Sequence, residues 1–199
     1  MSASRGEREI QAAMGSQDRA QRFYDFQVND RLNERMKDLI RRQEMVFVAT
    51  ADAEGNCDCS PRFGKPGFVM VLDDQTIAYP EFRGNGVFAS LGNIQENSHV
   101  GLVFVDFFET TVGLHVNGTA SSCSPEEVVV PKTAEADWRA VNANPAIERW
   151  VVVKIDEAFI HCSKHVPLLQ KMGKPISWGT DDPLAKSEGF FGPTVTCAR

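Results

Sequence analysis

Two short basic loops hold the residues of this chain best suited to chemistry. The first, "SPRFGKPG" at residues 60 to 67, offers Ser60, Arg62 and Lys65; the second, "RGNG" at residues 83 to 86, offers Arg83, Gly84, Asn85 and Gly86. Arginine presents a fork of donors, lysine a point charge, and glycine lets backbone amides come close, so together these types suit a phosphate. The amides after Arg83 would also face the positive end of a helix beginning beyond Gly86. The same stretch raises a rival reading. Gly84, Gly86 and Ala89 spell G-x-G-x-x-A, and Asp106 follows at about the 20-residue interval of a ribose-binding acid, which leaves an NAD-dependent enzyme with a Rossmann-like motif as an alternative. Against it, Pro80, Glu81 and Phe82 separate the strand "TIAY" from the first glycine, and only one strand-helix-strand unit is evident where a doubly wound sheet needs several.

Other chemical signals are weaker. In "HCSKH", His161 and His165 would converge on a metal only if helical, and no third ligand is evident, so no metal site is expected. "FASLG" fails as a nucleophile elbow because Phe88 takes the place of the first glycine. Cys57 and Cys59 share a strand face without metal-ligand spacing; with Cys123, Cys162 and Cys197 they contain no C-x-x-C pair and read as reduced thiols. His115 keeps two readings, a group beside a cofactor or a satisfied barrel histidine.

Twenty-seven acidic against 21 basic residues, a net charge of -6, argue against a sequence-independent nucleic-acid binder, which needs surplus cations to neutralise phosphates. The N-terminus lacks an apolar signal region and no stretch approaches the roughly 20 apolar residues of a membrane span, so a cytoplasmic protein with no membrane partner is expected.

The elements that must position the loops follow from periodicity. Phe23, Val28, Leu32, Met36, Leu39 and Ile40 mark an amphipathic helix over residues 18 to 43, with Asn29-Asp30 as a possible break. From Met45 the period shortens: "MVFVATA", the turn "DAEGN", then "CDCSPR", "FVMVL", "TIAY", "HVGLVFV", "TVGLHVNGTA", "RWVVVKI" and "AFIHC" read as short strands joined mostly by polar turns. One helix, "GVFASLGNIQEN", interrupts them, and the pattern favours an antiparallel barrel or sandwich. Residues 121 to 147 read as a surface excursion with Ser124 as a helix cap, and residues 164 to 199 as a tail whose Leu168, Leu169, Trp178, Phe190 and Phe191 are apolar enough to pack. A single domain is expected: residues 1–43 helical, 44–163 barrel, 164–199 tail.

The order "MVFVATADAEGNCDCSPRFGKPGFVMVLDD", "TIAYPEFRGNGVFASLGNIQENSHVGLVFV", "TTVGLHVNGTA" resembles the flavin-binding split-barrel proteins related to pyridoxamine 5'-phosphate oxidase. The combination of A-T-x-D-x-x-G, S-x-R and G-N before a short helix carries the resemblance over about residues 28 to 122. It implies a mainly β (α+β) fold, an antiparallel six-stranded split β-barrel with an N-terminal helix and flanking helices. It also implies an FMN-binding homodimer with each flavin at the subunit interface. By position, Ser60, Arg62 and Lys65 fall on the strand and loop lining the ring and reaching the phosphate, Tyr79 and Pro80 beside the ring, Arg83 on the phosphate arginine, Gly84 and Asn85 at the helix start, and Leu114 and His115 on a strand approaching from the other side. No catalytic residue is named. The C-terminal segment lacks an R-x-x-R-L-H-like motif, so the resemblance implies an FMN-dependent oxidoreductase whose small substrate is not pyridoxamine phosphate. A non-enzymatic FMN carrier or redox sensor is the other reading of the same fold, and relatives of this fold leave a deazaflavin coenzyme or haem as other cofactors.

Overall fold

The computed structural model describes residues 3–180 and 182. Phe190, Phe191 and Cys197, singled out above, lie outside them. Seven strands form one sheet: β1 (Met45–Ala51), β2 (Cys57–Phe63), β3 (Met70–Val71), β4 (Thr76–Phe82), β5 (His99–Val105), β6 (Gly113–Cys123) and β7 (Ile147–His161). Their spatial order is β2-β1-β5-β6-β7-β4-β3, and every pairing is antiparallel. This excludes the doubly wound parallel sheet that the NAD reading required. The fold is the split β-barrel, with seven strands where six were expected.

Strand alternation builds the core. Val46 and Val48 of β1, Leu102 and Phe104 of β5, and Leu114 and Val116 of β6 point inward and are almost wholly buried. Each such side chain contributes about 1.5–3 kcal/mol by leaving water. The same cluster takes in Leu39 and Ile40 of α3 (Glu34–Arg42) and Ile94 of α4 (Ala89–Glu96), so these helices close over the core.

"RWVVVKI" and "AFIHC" are one 15-residue strand, not two. The register against β6 slips between Asn117 and Gly118, leaving Asp156 without a partner, and the inward phase moves from Val151, Val153 and Ile155 to Ala158. Gly118 permits this bend, since a Cβ there would lie 2.0 Å from the Lys154 carbonyl oxygen. "FVMVL" is mostly irregular, with only Met70–Val71 paired as β3.

The expected N-terminal helix is divided, α2 (Gln17–Gln27) and α3, at a break where Asn29 pairs with Ala158. An additional helix, α1 (Arg5–Ala13), is nucleated by a capping box in which the Glu7 amide donates to Ser4 Oγ at 3.2 Å and the Ser4 amide to Glu7 Oε2 at 2.7 Å. The 121–147 excursion packs on the outer face through α5 (Glu135–Asn142): Trp138 lies 4.3 Å from Trp150, whose Nε1 donates to Asn142 Oδ1 at 3.0 Å. Among the described residues no helix is long and apolar enough to cross a membrane.

Candidate functional site

β2 is one edge of the sheet and β4 lies next to the other, yet the curl of the sheet brings them face to face. Arg62 of β2 spans the gap, donating through Nε to Glu81 Oε1 of β4 at 2.8 Å. The cleft along this seam, about 510 Å³, is lined by Ser60, Arg62, Pro80, Glu81 and the loop from Arg83 to Asn85, with the start of α4 at its end. That volume lies within the usual range of small-molecule sites.

The pair is nearly enclosed: the Arg62 and Glu81 side chains are 18% and 8% exposed. Burial pushes the Glu81 carboxyl above the usual carboxylate range, and the opposing pull of Arg62 does not cancel it. Arg83 is more open and donates through Nε to Glu148 Oε1 at 2.5 Å. Asp58 also lines the cleft and accepts from Ser90 Oγ at 3.2 Å, tying β2 to α4.

The loop before α4 is shaped by local hydrogen bonds. The Gly86 amide donates to the Arg83 carbonyl at 2.9 Å and the Val87 amide to Asn85 Oδ1 at 3.0 Å. These two amides therefore serve the turn, contrary to the expectation that Gly86 would offer its own to a ligand. Gly84 and Gly86 have positive φ, +54° and +78°, which glycine accepts without strain. Phe88, at φ 53°, precedes α4 and gives it no side-chain cap, so the first N–H groups of the helix keep their donor capacity at the cleft.

Four of the expected residues lie elsewhere within one chain. Lys65 opens into a neighbouring cavity of about 360 Å³ with Phe63, Phe82 and Trp178, separated from the cleft by Phe63, Pro80 and Phe82. Tyr79 is fully buried in the core, so its ring does not face the cleft; its Oη is the one buried side-chain polar atom without a partner among the described residues. Burial drives its phenol far upward in pKa. Leu114 belongs to the core and reaches a different cavity beside α2 and α3. His115 points to the other face of β6, stacked on Phe159 at 4.8 Å with its Nε2 3.0 Å from His161 Nδ1. Burial, and next the neighbouring His161, lower the His115 pKa.

Other motifs resolve structurally. Asp106 accepts from the amides of Phe108, Glu109 and Thr110 and from Thr110 Oγ1, so it braces a turn and is committed away from any ribose. No cluster of three or more possible metal ligands occurs among the described residues.

Residues 32–162 match the family profile described as pyridoxamine 5'-phosphate oxidase. The chain belongs to the pyridoxamine 5'-phosphate oxidase family. The match runs from just before α3 to just after β7, so both basic loops and the seam lie inside it. No curated protein matches the chain. Similar solved structures include HupZ of Group A Streptococcus, at 25% identity over 65% of this chain and 93% of that one, TM-score 0.49. The FAD binding protein from Mycobacterium smegmatis is similar at 16% identity over 67% and 97%, TM-score 0.42. HutZ, the heme storage protein from Vibrio cholerae, is similar at 12% over 65% and 94%, TM-score 0.43.

Glu81, Asp58 and Glu148 are the site residues that sequence reasoning missed. Glu81 had a signal: a carboxylate inside "TIAYPEF", an otherwise apolar strand, needs a buried partner. Glu148, 65 positions from Arg83, had none.

Proposed function

We propose that the cleft holds the phosphate end of FMN and that the protein is an FMN-dependent oxidoreductase acting on a small molecule other than pyridoxamine phosphate. The observation that carries this reading is the convergence of Arg62, on β2, and Arg83, in the loop after β4, on one cleft that also receives the uncapped start of α4. Arg83 and the Gly84 and Asn85 amides would hold the phosphate, Arg62 would reach it from β2, and Ser60 and Pro80 would border the ring. The redox chemistry would be the cofactor's own, acceptance of hydride or electrons from a reduced donor and their transfer to a small acceptor or oxygen. The chain's residues position it and shield it from water.

A second copy of the chain would complete the site, with the flavin at the subunit interface. Lys65 and His115, outside the single-chain cleft, would meet a flavin only across that interface, while Leu114 would stay in the core. The whole of residues 1–199 acts, in this reading, as one domain.

The test is absorbance and binding. Protein incubated with FMN should retain it with a flavin spectrum, and Arg83→Ala should weaken retention by roughly 10- to 100-fold, the loss of one to two charge-assisted contacts. A protein that takes up no FMN, or an Arg83→Ala variant of unchanged affinity, would overturn the assignment. Repeated bleaching by NADH or NADPH and reoxidation separates an enzyme from a carrier, and parallel titrations with a deazaflavin coenzyme and haem test the other cofactors.

A further inference from the structure

The arginines of the cleft are already matched by carboxylates. Arg62 holds Glu81, Arg83 holds Glu148, and Asp58 stands on the same wall. Three acids therefore face two guanidinium groups before any ligand arrives. A phosphate dianion approaching Arg62 has two courses. It can take the guanidinium from Glu81, leaving a buried carboxylate unpaired, or share it, placing two anions on one cation; both are costly where water is scarce. A proton relieves either.

We propose that anion binding in this cleft is coupled to uptake of a proton, held between Glu81 and the bound phosphate. This rests on the FMN reading of the site and adds its regulation: the resting ion pair acts as a competitive internal anion that protonation removes. Glu81 is the carboxylate placed for this role. It is the most buried of the three, its side chain accepts from Arg62 Nε, and it stands two residues along β4 from the buried Tyr79, whose hydroxyl feels the charges of both. The charged group in contact with it is Arg62 from β2, while Asp58 of β2 and Arg83 beyond the end of β4 line the same cleft. Across β7 the register partner Arg149 is engaged by Ser122 Oγ at 2.7 Å and the Ser122 carbonyl at 3.1 Å. Burial already favours the protonated form of Glu81.

The proposal predicts that affinity for a phosphate falls as pH rises, approaching tenfold per pH unit where one full proton is taken up. The experiment is calorimetric titration of the full-length protein with FMN between pH 7 and 9, where a phosphate monoester is a dianion, in buffers of different protonation enthalpy. Heat that varies with the buffer, corresponding to nearly one proton taken up, supports the proposal. Riboflavin, which lacks the phosphate, should bind without proton uptake. Glu81→Gln, which keeps the shape and a partner for Arg62, should abolish the uptake, flatten the pH dependence and tighten FMN binding about tenfold at the upper end of the range. FMN bound by the unaltered protein with no proton uptake, or equal uptake with riboflavin, would overturn the coupling while leaving the FMN site standing. Uptake that persists in Glu81→Gln would remove Glu81 from the account. Absence of FMN binding would sink the site assignment itself, and this inference with it.

Discussion

Replacing Arg62 by Ala tests the seam most directly. In the folded chain Glu81 would lose the partner that holds its Oε1 at 2.8 Å while remaining 6% exposed as a residue. Breaking a buried ion pair by deleting one member costs about 3–5 kcal/mol. The Arg62 side chain retains 18% exposure, so water can reach part of the gap and a cost at or just below the lower end, about 2–3 kcal/mol, is the expectation. For a chain of this size that corresponds to a fall in Tm of roughly 4–12 °C. The loss must also depend on pH. Removing Arg62 raises the folded-state pKa of Glu81 further above its unfolded value, and a group with a raised pKa contributes stability below the unfolded pKa that is lost as pH rises through the folded pKa. The deficit of Arg62→Ala is therefore small near pH 4 to 5 and grows toward pH 8, by at most about 1.4 kcal/mol per pH unit. Urea unfolding of both proteins at pH 5 and pH 8 measures it, and adding Glu81→Gln to the variant should recover most of the loss at pH 8. A deficit under about 0.5 kcal/mol, or one equal at the two pH values, would refute the claim that the pair is buried and that Glu81 bears the cost.

Gly118→Ala should destabilise the protein by several kcal/mol, about 2–4, because its Cβ would fall 2.0 Å from the Lys154 carbonyl and β7 would have to give up its bulge; a thermal melt within 1 °C of the parent would contradict it. Tyr79→Phe removes a buried hydroxyl without a partner and should be neutral or stabilising by up to about 1 kcal/mol, whereas a clear loss in denaturant titration would reveal a partner for that oxygen. The lowered pKa of His115 makes its contribution one that is present above the unfolded value near 6.5 and lost as pH falls through the folded value. His115→Gln should accordingly flatten the acid limb of the stability curve below that value, and an unchanged limb would count against the His115–His161 contact.

Much of this protein could be read from the order of its residues. "MVFVATADAEGNCDC" encodes β1, its turn and β2 locally, since alternation marks the buried face and Asp52 with Gly55 closes the hairpin: Asp52 Oδ1 accepts from the amides of Glu54 and Asn56, and Gly55 supplies the positive φ. The two basic loops were equally visible as clusters of donor types, and their family pattern is short-range too. The length of β7 was not visible, because the bulge at Asp156 interrupts the alternation and Gly118, which admits it, lies on another strand. Position in the family pattern implied a place for Tyr79 beside a cofactor, yet β4 is buried on both faces and its alternation gives no outward side. Local propensity and hydrogen-bonding chemistry thus determined the strands, the turns and the phosphate-suited loops, since those depend on a few adjacent residues. Only the curl of the sheet decided that Arg62 meets Glu81 across its two margins and that Arg83 meets Glu148. It brings together groups whose separation along the chain carries no periodic signal, and it encloses Arg62 and Glu81 where charge must be balanced.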